Sequence, residues 1–147
     1  MLIQLNMLDE TKRVERECIA FRIRKLNRLV TAIYDDALAE AGLKTSQFTV
    51  LVALANREKV TPSELTRLLA MDESTVSRNV ERMCAKGWLR LDPGEDRRSH
   101  TIEVTQNGKA LIRKCLPAWQ RAQEGVTRRL GTENVAAVRS SLRKLWN

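Results

Sequence analysis

The apolar positions of the chain fall into three blocks of different period. In the first, Ile19, Ile23, Leu26, Val30, Ile33, Ala37 and Ala41 recur in steps of four and three, which places them on one helical stripe. Gly42 is a natural stop for that helix. The stripe predicts a helix of roughly 30 residues, and an apolar face of that length needs something to cover it.

The middle block opens with a short apolar helix over 46–56, rich in Phe48, Val50, Leu51, Val52 and Leu54. Thr61-Pro62-Ser63-Glu64 then reads as a capping box with proline at the first helical position. It starts a helix over 62–69 with Leu65, Leu68 and Leu69 inward. Ala70-Met71-Asp72 makes the turn, and Asp72 can cap the next helix, 73–86, whose buried stripe is Val76, Val80 and Met83. Gly87 ends it. Segments 88–92 and 100–105 alternate apolar and polar residues with period two, and Pro93-Gly94 breaks the run, so a hairpin is expected.

Thr105 caps the third block, a long helix from Gln106 to about Leu130, expected to bend or break at Pro117. A last helix over 132–146 carries Val135, Val138, Leu142 and Leu145 on one stripe. The predicted order is α-α-α-α-β-β-α-α, with amphipathic helices flanking a compact centre.

Composition narrows the function. At 147 residues and 43% hydrophobic, the chain can bury one core, and a single domain over 1–147 is expected. Lys and Arg number 26 against 18 Asp and Glu, a net charge of +8. That suits a polyanionic partner, nucleic acid or an anionic membrane surface, and also fits a plain basic surface. Aromatics at 4% offer no stacking platform for single strands, so duplex DNA is the better target. No span of 18 apolar residues and no secretory signal is present, which predicts a cytoplasmic protein without membrane attachment. Three widely spaced cysteines do not suggest a disulfide framework.

The helix over 73–86 presents Ser74, Arg78, Glu81, Arg82 and Ala85 opposite its buried stripe, with Thr75 and Ser77 on the flanks. Small hydroxyls let it approach base edges and phosphates. Arg78 can reach guanine or a phosphate, and Arg82 lies further along, over the backbone. Such a face alone equally suits a solvated helix; after a capped helix and a short turn it favours DNA. The hairpin tip adds Arg97 and Arg98, which fit a minor groove. Asp96 can pin one guanidinium, and Ser99 can bond a phosphate or close the loop. Thr61 and Ser63 at the start of the preceding helix complete the candidate DNA contacts.

These residues resemble the MarR transcriptional regulators, bacterial winged helix-turn-helix proteins. The likeness rests on Asp72-Glu-Ser-Thr-Val-Ser-Arg78, on Lys86-Gly87-Trp88-Leu89, on the wing Asp96-Arg97-Arg98-Ser99, and on Thr105-Gln106-Asn107-Gly108-Lys109. The wing fits the family's Asp-x-Arg-Ser/Ala pattern. The first helix and the Ala41-Gly42-Leu43 corner fit as well. The resemblance implies a mainly α protein with a small β-hairpin, a winged helix-turn-helix with long N- and C-terminal dimerisation helices. Residues 1–43 and 109–147 would form the dimerisation helices and 44–108 the DNA-binding region. It further implies a homodimer on a palindromic operator, a repressor released by a small molecule or an oxidant.

Some members of that family sense peroxide through a cysteine in the first helix, and Cys18 lies about two residues before that position. Redox sensing and ordinary packing are both open for Cys18. Cys115 reads as packing; Cys84 edges the reader helix's buried stripe, where oxidation could disturb docking. His100 stands alone, without a second histidine or cysteine at ligand spacing, so no metal or cofactor is expected. No nucleophile elbow, phosphate-binding glycine loop or paired carboxylates occur, which predicts no enzyme activity. Positions that would bind an effector are not legible.

Overall fold

The computed structural model describes residues 2–93 and 100–146, with side chains from residue 7 onward. The helices are α1 (Leu2–Glu17), α2 (Ile19–Leu38), α3 (Thr45–Ala55), α4 (Pro62–Leu69), α5 (Glu73–Ala85), α6 (Gln106–Leu130) and α7 (Thr132–Trp146). Strands β1 (Leu89–Pro93) and β2 (His100–Val104) lie between α5 and α6. The backbone forms two compact units, residues 1–33 and residues 34–147. Among the described residues no helix is long and apolar enough to cross a membrane.

The first block departs from expectation. Instead of one helix of roughly 30 residues, α2 ends at Leu38, and a 3-10 turn (Ala39–Ala41) leads to Gly42, whose φ of 67° is left-handed. A further helix, α1, precedes it. Its run of Leu, Gln, Met, Glu, Lys and Arg without Gly or Pro favours helix, although no single stripe announces it. The break between them falls at Cys18, and Arg22 supplies the cause. Its guanidinium donates to the Arg16 carbonyl (Nε 2.8 Å, and Nη2), the acceptor that an unbroken helix would give to the amide of Ala20. In this unit Ile19, Phe21, Ile23, Leu26 and Leu29 are exposed.

The second unit holds the core: Leu38, Leu43, Phe48, Val50, Leu51, Leu54, Val60, Leu65, Val76, Val80, Met83, Leu89, Ile102 and Cys115. Helix α3 is apolar around most of its circumference because it is central, packing on α4, α6 and β2. Leu51, Leu65 and Met83 are fully enclosed; truncating any of them to alanine costs about 2–5 kcal/mol in such settings. Trp119 packs partly buried against this core. Helix α6 runs unbroken through Pro117, so of the expected bend or break the break does not occur. The carbonyl and amide pattern of 25 residues tolerates one missing donor, as long as neighbouring turns hold.

The hairpin pairs Leu89 with Val104 and Pro93 with His100 in antiparallel register, so Pro93 closes the strand instead of breaking it. Proline is admissible at a strand end. One bond was not foreseen: the Ile102 amide donates to the Val60 carbonyl at 2.7 Å, a single bridge that ties the hairpin to the segment before α4. Arg90 and Glu103 face each other across the hairpin at 2.6 Å, with Asp92 beside Arg90 at 3.2 Å.

Helix α6 starts against the end of α5. Thr105 Oγ1 accepts from the Gly108 amide (3.1 Å) and lies 2.7 Å from the carbonyl of Gly87, while the Thr105 amide donates to the Trp88 carbonyl at 3.0 Å. Gly108 is buried there. A Cβ at this position would collide with the Trp88 carbonyl oxygen and meet Val104 Cγ1 at 2.7 Å. Gly108→Ala is therefore expected to destabilise the fold by about 1–3 kcal/mol, read as a lower urea midpoint; an unchanged midpoint would show that α6 is free to shift away from Trp88.

Candidate nucleic-acid interface

Helices α4 and α5 pack on each other across the turn Ala70–Asp72. Thr61 caps α4: its Oγ1 accepts from the Glu64 amide (3.3 Å) and donates to Glu64 Oε2 (2.9 Å), while Glu64 Oε2 also receives the Thr61 amide at 2.8 Å. This reciprocal box holds the Glu64 carboxyl below its usual range, chiefly through the Thr61 amide. Ser63, one residue into the helix, is exposed.

Asp72 caps α5 more elaborately. Oδ1 accepts the Thr75 amide (2.8 Å) and the Ser74 hydroxyl (2.6 Å), and Oδ2 accepts the Thr75 hydroxyl (2.7 Å). Those bonds hold the Asp72 carboxyl far below its ordinary value, the Ser74 hydroxyl first, then the Thr75 hydroxyl and the Thr75 amide. One carboxylate thus gathers two of the hydroxyls expected to face DNA.

Val76, Val80 and Met83 are buried, and Ser74, Ser77, Arg78, Glu81, Arg82 and Ala85 are exposed, with Thr75 half-buried. Ser77 Oγ donates to Glu81 Oε1 at 3.2 Å. Among the described residues neither Arg78 nor Arg82 lies in a salt bridge. Two long cations are thereby available on a face whose hydroxyls are internally bonded. Lys86 stacks over the Trp88 ring, 4.5 Å from its centre, and Trp88 packs partly buried against the core. Asp96, Arg97, Arg98 and Ser99, the expected tip of the hairpin, lie outside the described residues.

The remaining candidates sit apart from this face. Cys18 is half-buried at the junction of α1 and α2, Cys115 is enclosed in the core, and Cys84 is half-buried near the end of α5; all three are free thiols. Burial pushes the Cys84 and Cys115 thiols up, away from the reactive thiolate. The Tyr34 hydroxyl is committed to Gln123 on α6 at 2.5 Å. His100 is exposed at the start of β2. An apolar recess of about 560 Å³ lies against the α4–α5 turn, lined by Leu68, Leu69, Ala70, Leu142, Arg143 and Trp146 among others.

A capped helix, a short turn, a second helix exposing arginines and a hairpin bridged back to the segment before the first helix define the winged helix-turn-helix class. Comparison with known proteins agrees. The MarR family model matches residues 41–99. The transcriptional repressor NicR of Pseudomonas putida is 31% identical over 140 residues, 94% of this chain and 88% of its own length. The chain therefore belongs to the MarR family of winged-helix transcriptional regulators. Among solved structures, the M. tuberculosis regulator MosR in complex with DNA superposes with a TM-score of 0.79 at 32% identity, covering 88% of this chain and 94% of that one. Bordetella bronchiseptica BpsR, whose DNA binding is regulated by 6-hydroxynicotinic acid, superposes with a TM-score of 0.78 at 25% identity over 88% and 93% of the two chains.

The Asp72 carboxyl has a titration consequence. Its folded value lies below the ordinary 3.8, so its contribution to stability is present at neutral pH and is lost as pH falls below about 4. Asp72→Ala is expected to lower the Tm at neutral pH, with the gap to wild type narrowing as the solution is acidified through that range. A gap that stays constant into acid would mean the cap does not depend on the ionised carboxylate.

Proposed function

We propose that this protein is a sequence-specific DNA-binding repressor that acts as a homodimer on a palindromic operator in the cytoplasm and is released by a small molecule. The observation that carries the reading is the exposed face of α5, with Arg78 and Arg82 outside any salt bridge among the described residues, on the second helix of a capped pair. In this reading Ser74, Thr75, Ser77 and Arg78 enter the major groove and Arg82, Thr61 and Ser63 meet the backbone. Asp96, Arg97, Arg98 and Ser99 form a wing that reaches an adjacent minor groove.

Residues 44–108 would be the DNA-binding region, and 1–43 with 109–147 the dimerisation helices. The exposed apolar residues Ile19, Phe21, Ile23 and Leu26, and Val138, Leu142 and Leu145, support a partner subunit. The relatives are consistent: NicR is a repressor, MosR was solved on DNA, and BpsR answers to an aromatic acid. The recess against Ala70 supports the effector part of the reading, since it touches the turn that sets α4 against α5. Regulation, not catalysis, is the activity proposed.

Gel shifts with the intergenic DNA flanking the gene test this reading. Specific recognition predicts a two-fold symmetric footprint that survives excess competitor, and Arg78→Ala is expected to weaken binding by about 1–3 kcal/mol and relax the base preference at one position per half-site. Binding that vanishes with competitor, or an Arg78→Ala protein with wild-type affinity and preference, would contradict it.

A further inference from the structure

On α5 the three hydroxyls assigned to the DNA-reading face are each bonded to a carboxylate: Ser74 and Thr75 to Asp72, at 2.6 and 2.7 Å, and Ser77 to Glu81 at 3.2 Å. An ionised carboxylate has no proton to give, so the hydroxyl is the donor in every pair. A hydroxyl owns one proton and two lone pairs. With the proton spent inward, what it offers outward is an acceptor.

We infer that Asp72 fixes Ser74 and Thr75 as hydrogen-bond acceptors, so that the first turn of α5 selects a base with an exocyclic amine, adenine or cytosine, on the strand it meets. The inference rests on the DNA-reading role of α5 proposed above. In the major groove the only base donors are the adenine N6 and cytosine N4 amines, whereas guanine and thymine present O6, N7 or O4 acceptors. An acceptor set against an acceptor leaves both unsatisfied.

Reversal is possible in principle, by swinging a hydroxyl proton from Asp72 to a guanine or thymine oxygen. That exchange gives up a charge-assisted bond, about twice as strong as a neutral one, to make a neutral one. It also strips the carboxylate of a donor, and the 2.6–2.7 Å pairs at Asp72 therefore hold. Ser77, at 3.2 Å from Glu81, is less committed. Ser74 is exposed and Thr75 half-buried beside it.

The same polarity argues against phosphate at this helix start. Phosphate oxygens only accept, and the Asp72 charge offsets the positive end of the helix that would otherwise attract them. Affinity then falls to Arg78 and Arg82, and Asp72 contributes selectivity.

Asp72→Asn isolates the effect. Asparagine keeps the size and, at Oδ1, the oxygen that accepts the Thr75 amide and the Ser74 hydroxyl, but the NH₂ that replaces Oδ2 donates, so the Thr75 hydroxyl must turn a lone pair inward and its proton outward. Wild type and Asp72→Asn are each used to select duplexes from a randomised pool, with circular dichroism confirming that both are folded. The position that Thr75 meets in each half-site should change from adenine or cytosine to guanine or thymine, with the rest of the motif, including the base met by Ser74, kept.

Each adenine and cytosine of the wild-type half-site is then replaced by purine or 2-pyrimidinone, which removes only the amine. At the positions that changed, wild-type binding should weaken about tenfold. The inference is overturned if Asp72→Asn selects the same bases, or if no amine removal weakens wild type. Should Asp72→Asn fail to fold, the amine series on wild type decides alone. A wild-type selection that yields no motif removes the DNA-reading role itself, which is distinct from a motif that survives without the shift.

Discussion

The close approach of α6 to the carbonyl of Trp88 is the constraint on which the rest of the second unit depends. Only a residue without Cβ fits at Gly108, and Thr105 locks the contact through the carbonyl of Gly87 and the Trp88 backbone. Gly87 itself is left-handed, at φ 71°, and turns the chain from α5 into β1. The end of α5, the root of the hairpin and the start of the 25-residue helix α6 are therefore one junction. A rigid joint of this kind makes the direction of α5 follow the direction of α6. If α6 and α7 carry a second subunit, the spacing of two α5 helices is set through this joint, and any ligand that shifts α6 shifts the reader.

Most of the second unit was legible because its signals are local. The capping box at Thr61, the cap at Asp72, the period-two runs either side of Pro93 and the stripe Val76, Val80 and Met83 each lie within a few residues of chain. What could not be read depends on partners distant in sequence. The bridge from Ile102 to Val60 involves one residue and leaves no period. The break at Cys18 comes from the Arg22 side chain seizing a backbone carbonyl, while the apolar stripe runs past it undisturbed. Pro117 reads as a bend or an interruption, and α6 is not interrupted there.

The candidate site shows the same division. Residue types and spacing located the α5 face, and the hydrogen-bond state of its hydroxyls was invisible in them. Ser74 and Thr75 read as small hydroxyls that let the helix approach base edges and phosphates; in the structure both donate to the Asp72 carboxylate. A single carboxylate thus serves two ends, satisfying the orphan amide of the helix start and setting the polarity of the first turn. If the inference drawn above holds, stability and selectivity are coupled at that residue.

The structure of the chain bound to a duplex selected by the wild-type protein tests the central claim most directly. The account predicts the N-terminal turn of α5 in the major groove, with Ser74 within hydrogen-bond distance of an adenine or cytosine amine and Arg78 on a base or phosphate. A complex in which α5 faces solvent and the DNA lies along another surface would contradict it.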